Sequence, residues 1–480
     1  MSDDDDRVPA RLERAPSGVP GLDAILNGGF FRGSVYLVHA EPGSGKTVLG
    51  NQVCFRHVAA GGRAVVVTLL TESHTRLLAQ LGSMTFFDPS AVGSSLSYVS
   101  GYQALEAERF KGLLALVRKA VRDQKATLLL IDGVVTASGL AESELETKRF
   151  IYELQAFAEL TGCTTLLLTG ASEPDEQYAF RTMVDGLIGL QLDAVGMEAV
   201  RTLEVTKFRG GPVLMGRHFF EITDEGVTVH PRIESRLGRS IERPLDVAAR
   251  PAKFGIPGLD AMLHGGLRPG SITMTIGTPG SGKTLAGLSF LAAGAREREP
   301  GAYFGFFEAP GDLERKARGI GLSLAEHVES GLVGLMWQSP LEGVADALAE
   351  KILASIRERG VRRLFIDGLG GLQESLVYPA RARRFFTALF DELRALGVVT
   401  LLSDETTSLG ELELPESGLT AALDNVIVLR QVELRGQLRK LASVVKMRGG
   451  DSDPTVREFS IGPRGFVVKG SKPAKKPRRR

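Results

Sequence analysis

Residues 277–284 read Gly-Thr-Pro-Gly-Ser-Gly-Lys-Thr, and residues 40–47 read Ala-Glu-Pro-Gly-Ser-Gly-Lys-Thr. Each follows an apolar run that reads as a strand, Ser34–His39 in one case and Ser271–Ile276 in the other. Each precedes a segment with helical spacing. Strand, glycine-rich loop and helix form the context of a phosphate-binding P-loop. Gly43, Gly45, Gly280 and Gly282 leave room for backbone N–H groups to curl round phosphate oxygens. The helix that follows turns its positive end toward the same anion. Pro42, Ser44, Pro279 and Ser281 complete the two loops. Lys46 and Lys283 are expected to reach the β- and γ-phosphates, and the Thr47 and Thr284 hydroxyls to hold Mg²⁺. ATP with Mg²⁺ is therefore the expected cofactor pair. The second loop fits G-x-x-x-x-G-K-T in full, whereas the first has Ala40 at the opening glycine.

Outward from the loops the text repeats. Ser17-Gly-Val-Pro-Gly-Leu-Asp-Ala-Ile-Leu-Asn-Gly-Gly-Phe30 returns as Phe254-Gly-Ile-Pro-Gly-Leu-Asp-Ala-Met-Leu-His-Gly-Gly-Leu267. Gly21 and Gly258 are 237 positions apart, as are Lys46 and Lys283 (258 − 21 and 283 − 46). A constant offset as long as a domain marks a tandem duplication, not a solenoid. Five segments follow: a disordered N-terminus over 1–16, a first domain over 17–235, a linker over 236–252, a second domain over 253–468 and a basic tail over 469–480.

With 480 residues the chain is too long for one core. Hydrophobic content of 43% and charged content of 24% belong to a globular protein, and a net charge of +1 gives no general attraction to nucleic acid or acidic lipid. Cys54 and Cys163 lack metal-binding spacing and read as buried thiols in a reducing compartment. The Met-Ser-Asp-Asp-Asp-Asp start is no signal peptide, and no apolar run approaches 18 residues, so the expected location is cytoplasmic, without a membrane span.

Short apolar strands alternate with helices in both copies. Strands are expected over 63–70, 127–132 and 164–169, with helices over 108–123 and 144–161. The second copy has strands over 302–307, 363–367 and 398–403, with helices over 343–359 and 380–396. This pattern predicts an α/β fold with a mostly parallel sheet covered on both faces. The end of each copy changes to antiparallel strands, over 185–192, 199–208 and 217–223, and over 424–432, 439–447 and 456–460.

Asp132 and Asp367 each end an apolar strand, as a Walker B aspartate that completes the metal site should. A turn or helix cap is the plainer role for such an aspartate, since glycine follows each. Glu72 and Glu308 stand after the next strand in each copy, at the carboxyl edge where ligands bind, and are the candidate bases. The plainer alternative for them is helix capping. Lys207-Phe-Arg209 and Lys446-Met-Arg448 lie on late strands, each followed by glycine. Cations at i and i+2 share one face of a strand. A clamp on a neighbour's γ-phosphate, supplied in trans, fits their repetition better than a solvated edge. The tail from Ser471 to Arg480 is basic and proline-broken. It reads as a solvated segment or an arm for nucleic acid or an acidic partner.

From about Ser17 to Gly465 the chain resembles the KaiC family of circadian-clock ATPases, a double-domain branch of RecA-like ATPases. The most specific pieces are G-[IV]-P-G-L-D…G-G before each P-loop and Lys446-Met-Arg-Gly…Arg457-Glu-Phe near the end, with Val432-Glu-Leu-Arg-Gly436 in support. The resemblance implies tandem RecA-like domains, a homo-oligomeric ring of six subunits, ATP between adjacent subunits and signalling through a protein partner. It also implies that Lys207, Arg209, Lys446 and Arg448 reach across to a neighbour's phosphates. The family usually carries two adjacent glutamates after the P-loop strand, but here the pairs are Thr71-Glu72 and Phe307-Glu308. Slow turnover follows if the lost acid is the better base. Its clock members autophosphorylate adjacent hydroxyl residues, and the matching positions here are Thr420 and Ala421. Thr420 is thus left as the single acceptor. The basic tail offers no equivalent of the family's partner-binding tail.

A ring ATPase is the leading reading. Two others compete with it: a nucleotide-gated scaffold with little hydrolysis, and a RecA-like ATPase on single-stranded DNA. Near-zero charge, one Trp and seven Tyr argue against the last, which needs basic grooves and stacking platforms.

Overall fold

The computed structural model describes residues 12–69, 73–134, 143–170, 178–196, 198–236, 250–339, 343–406, 419–448, 450 and 452–469. The chain divides into two compact units, Met1–Ser235 and Arg236–Arg480.

In the first unit, β1 (Arg14–Ala15) pairs antiparallel with β2 (Phe30–Phe31). The Arg14 guanidinium lies 4.1 Å over the Phe31 ring and donates to the Leu26 and Gly29 carbonyls. The disorder expected over residues 1–16 therefore does not extend to Arg14 and Ala15, because one cation satisfies the turn before the first P-loop. Residues 1–11 lie outside the described residues. The main sheet is built from β3 (Val35–Ala40), β4 (Ala64–Thr68), β5 (Leu96–Ser100), β6 (Leu128–Asp132) and β7 (Thr164–Gly170). It continues through β8 (Gly186–Val195), β9 (Glu198–Phe208), β10 (Arg217–Thr223) and β11 (Gly226–His230). Its order is β11-β10-β9-β8-β3-β7-β6-β4-β5. All pairs from β8 to β5 are parallel, and those from β8 outward to β11 are antiparallel.

The second unit repeats this order. Its strands are β12 (Ile272–Gly277), β13 (Gly301–Gly305), β14 (Val333–Trp337), β15 (Arg363–Asp367) and β16 (Val399–Glu405). β17 (Asn425–Leu434), β18 (Gln437–Met447), β19 (Arg457–Gly462) and β20 (Gly465–Val468) complete it. The sheet runs β14-β13-β15-β16-β12-β17-β18-β19-β20. Both units are thus mostly parallel sheets with an antiparallel extension, the architecture expected of tandem RecA-like domains.

Strand periodicity explains why both faces are covered. Tyr36, Val38 and Ala40 pack with Leu49 and Val53 of the helix Lys46–Ala59. Val35 and Leu37 point to the other face, against Leu113, Val117 and Leu154 of the helices Tyr102–Gln124 and Glu144–Thr161. The helix expected from Glu108 begins at Tyr102 and is broken by non-helical backbone at Glu108 and Arg109. The edge strands β5 and β14 escape the sequence pattern. Leu96-Ser-Tyr-Val-Ser100 is only half-buried and carries no continuous apolar run.

The repeated P-G-L-D motif closes the approach to each unit. Asp23 accepts hydrogen bonds from the Ser17 and Gly18 amides, and Asp260 does so from Phe254 and Gly255. Gly21 has φ 77°, and a Cβ there would meet the Val229 carbonyl oxygen at 1.8 Å, so only glycine fits.

Candidate functional site

Both loops leave the carboxyl end of the central parallel strand and enter a helix, Lys46–Ala59 or Lys283–Arg296. Gly45 (φ 99°) and Gly282 (φ 103°) cap those helices in the left-handed region. A Cβ at Gly45 would come 2.3 Å from Ile222 Cδ1, and one at Gly282 2.4 Å from Ile461 Cδ1. The antiparallel extension therefore presses on each loop from one side. A Cβ at Gly43 would meet nothing within 4 Å, which leaves that side open to a ligand. Ser44 and Ser281 amides close the loops onto the Glu41 and Thr278 carbonyls. Ser281 Oγ is buried with no hydrogen-bond partner among the described residues, a donor that a phosphate oxygen would satisfy.

Beside each loop the threonine and aspartate meet. Thr47 Oγ1 donates to Asp132 Oδ2 at 3.2 Å, and Thr284 hydrogen-bonds Asp367. A hydroxyl and a buried carboxylate at this separation are a donor set suited to Mg²⁺. The surroundings differ between units. Asp367 accepts from Ser403 Oγ at 2.5 Å and from the Tyr303 hydroxyl at 3.2 Å. In the first unit the same register positions hold Leu168 and Val66, which cannot donate. Burial holds the Asp367 carboxyl above its ordinary range. The Ser403 and Thr284 hydrogen bonds oppose this, and the Glu308 carboxylate adds to it.

Glu308 lines a cavity of about 980 Å³ together with Lys283, Thr284, Asp367, Glu405 and Lys440. Its carboxylate pairs with the Lys316 ammonium at 2.6 Å. Phe307, beside it, is 66% exposed, so the position before the candidate base presents an aromatic ring to solvent. Glu72 lies outside the described residues. Register still bears on it. Thr68 pairs with Asp132 and Gly305 with Asp367, so Thr71 holds the position in the chain that Glu308 holds in the second unit.

The Lys-x-Arg pairs sit at the opposite edge of each sheet. Lys446 Nζ donates to the Thr420 and Leu423 carbonyls at 2.6 and 2.8 Å, and Arg448 donates to Ala421. Lys207 Nζ donates to Arg181 and Thr182, and Arg209 to Met183, in the same manner. A bulge at the start of each hairpin, between Leu187 and Ile188 and between Val426 and Ile427, shifts the register beside the pair. Arg448 also stands 3.8 Å from Asp424, as Arg209 stands 3.9 Å from Asp185. Both arginines remain more than half exposed. Burial pulls the Lys207 and Lys446 ammonium groups below their ordinary range, and the neighbouring arginine adds to the effect.

Two groups at the second pocket were not found from the sequence. Lys440 Nζ donates to the Gly280 carbonyl at 2.7 Å across 160 residues, so β18 carries a cation at each end. Lys283 Nζ donates to the Gly277 and Thr278 carbonyls and to Glu405 Oε1 at 3.3 Å. The expectation that this lysine points at phosphate meets a side chain already bonded to its own loop. Cys54 and Cys163 are buried free thiols, and burial pushes Cys163 up to about 12. No described helix is long and apolar enough to cross a membrane. The basic residues 470–480 lie outside the described residues.

A P-loop on the central parallel strand, an aspartate two strands away and an antiparallel extension define a RecA-like P-loop ATPase, present twice. A family profile described as an ATPase, KaiC, matches residues 15–234 and 252–473. The chain belongs to the KaiC ATPase family. Among curated relatives, the circadian clock oscillator protein KaiC of Rippkaea orientalis is 26% identical over 465 residues, covering 94% of this chain and 88% of that protein. The circadian clock oscillator protein KaiC 1 of a Synechocystis species is 26% identical over 472 residues, covering 96% and 90%.

Proposed function

We propose that this protein is a ring ATPase that binds one Mg·ATP at each P-loop, hydrolyses it to ADP and phosphate, and signals its nucleotide state to a protein partner. The observation that carries this reading is a separation within each sheet. The P-loop leaves the carboxyl edge of the central strand, whereas the Lys-x-Arg pair lies near its amino edge. Lys446 pairs with Val426, which stands beside Met274, three positions before Gly277. At about 3.3 Å per residue and 4.8 Å per strand, this is roughly 14 Å from its own loop. Cations placed so far from the phosphates of their own pocket serve a neighbour's, and a closed ring of six gives every pocket such a neighbour.

Within that assembly Lys46 and Lys283 neutralise the phosphates, while the loop amides and the helix start hold their oxygens. Thr47 with Asp132, and Thr284 with Asp367, would hold Mg²⁺, which neutralises charge developing between the β- and γ-phosphates. Glu308 orients water and accepts its proton in the second pocket, once released from Lys316. Glu72 is the acid nearest that role in the first. Lys207 with Arg209, and Lys446 with Arg448, stabilise the charge spreading over the neighbour's γ-phosphoryl group. Thr420 lies beside Lys446 at the same edge, so a neighbour's ATP is its phosphoryl donor: Oγ1 bonds to phosphorus, ADP leaves and the hydroxyl proton goes to solvent.

The test is solution mass with and without Mg·ATP, together with phosphate release from wild type and from Lys46→Ala with Lys283→Ala. Assembly on nucleotide and loss of release in the double variant are expected. A monomer at saturating Mg·ATP would overturn the shared pocket. Label from γ-labelled ATP on wild type but not on Thr420→Ala would establish the kinase, and no label would remove it. A second reading, a scaffold that binds ATP without hydrolysing it, is favoured by exposed Phe307 and by Thr71 at the Glu308 position. Tight binding without phosphate release would select it.

A further inference from the structure

The strand next to each P-loop strand ends differently in the two units. β3 pairs with β7 so that Ala40 stands opposite Gly170, and β12 pairs with β16 so that Gly277 stands opposite Glu405. The first pocket therefore has Thr169-Gly170 where the second has Asp404-Glu405. Glu405 is 64% exposed, yet the Lys283 ammonium it holds at 3.3 Å is only 8% exposed. The Gly277 and Thr278 carbonyls accept from the same ammonium, so all three of its protons have acceptors. A carboxylate on the P-loop lysine stands on the group that a nucleotide's β- and γ-phosphates need.

We propose that Glu405 sets the nucleotide affinity of the second pocket by competing with phosphate for Lys283, which makes that pocket the weaker of the two. This inference rests on the reading of both loops as ATP sites. Binding at the second pocket requires the Lys283–Glu405 contact to open, and the displaced carboxylate then faces the polyphosphate with Asp404 beside it. Among the described residues, no carboxylate is placed on Lys46 in this way. A rigid structural role does not account for the contact, since Glu405 ends its strand and most of its side chain is in solvent.

The test uses the full chain with one loop silenced. In a Lys46→Ala background, equilibrium dialysis with radiolabelled Mg·ATP reads the second pocket alone. Adding Glu405→Gln, or Glu405→Gly as in the first unit, is expected to tighten binding about tenfold to a hundredfold, the range of a charge-assisted hydrogen bond. Damage to the fold cannot produce a gain in affinity. The reciprocal variant, Gly170→Glu in a Lys283→Ala background, is expected to weaken the first pocket about tenfold. A Cβ at Gly170 meets nothing within 4 Å, so the new side chain has room. Unchanged or weaker binding in both Glu405 variants would overturn the proposal, as would an unaffected first pocket in Gly170→Glu. Should the Lys46→Ala chain take up no ATP while the Lys283→Ala chain does, the nucleotide reading of the second pocket itself fails, and this inference with it.

Discussion

In the first unit the strand ends around the P-loop are Thr68, Asp132 and Thr169-Gly170; in the second they are Gly305, Asp367 and Asp404-Glu405. The glycine-rich loops differ far less, since Pro-Gly-Ser-Gly-Lys-Thr is common to both. The Lys-x-Arg pairs also match in one of the carbonyls each lysine reaches, Arg181 or Thr420, and in the aspartate beside each arginine, although their other carbonyl partners differ. Duplication has thus kept the parts that would grip phosphate from either side and let the carboxyl edge between them diverge. The second unit surrounds Asp367 with Ser403 and Tyr303, places Glu308 nearby and sets a carboxylate on its lysine. Shared loops in unequal surroundings predict two pockets that take the same ligand but differ in affinity and in how they process it.

The largest expected effect tests the part that did not diverge. Arg448→Ala, read in the Lys46→Ala background, should slow phosphate release about 10³-fold, and Arg209→Ala should do the same for the first pocket in the Lys283→Ala background. Mixing Lys283→Ala chains with Arg448→Ala chains should restore part of the rate, because an intact loop from one meets an intact arginine from the other. No recovery on mixing would place the arginine's action within its own chain and break the comparison there.

Next comes the base. Glu308→Gln should lower phosphate release from the second pocket about 10²-fold with ATP affinity little changed. Thr71→Glu, at the matching position of the first unit, should raise phosphate release from that pocket. If both rates stay where they were, water is positioned by other groups. A smaller effect is expected behind the metal. Ser403→Ala removes the donor on Asp367 Oδ1, and the Mg²⁺ concentration for half-maximal release at the second pocket should rise about tenfold. The first pocket, with Leu168 at that register, should not move. The smallest effect is on stability. Gly45→Ala and Gly282→Ala each force a left-handed residue against an isoleucine and should cost roughly 1–2 kcal/mol in chemical denaturation. A cost in one unit alone would show that the two loops are not packed alike.

Much of this was legible because local chemistry and fold agree. Leu128–Asp132 and Arg363–Asp367 are apolar runs that stop at an acid, and buried parallel strands read that way. The helix Glu144–Thr161 matches its expected bounds because Ser143 caps it and Gly162 ends it in the left-handed region. What stayed hidden depends on distance along the chain. Glu405 meets Lys283 across 122 residues, and Lys440 meets Gly280 across 160, so no local pattern announces either contact. The pairing of Asp367 with Tyr303 and Ser403 comes from sheet register, which a single strand does not reveal. Glu72 shows a different limit: by count from the paired strands the residue in step with Glu308 is Thr71, one position before it, and both lie outside the described residues.

A catalytic cleft divided between two molecules, as proposed from the placement of Lys446 and Arg448 far from Lys283, would tie output to abundance. At high dilution, phosphate release per molecule should fall with concentration rather than hold constant, and inactive copies should poison active ones out of proportion to their number. The enzyme would then register how much of itself is present before it registers anything else.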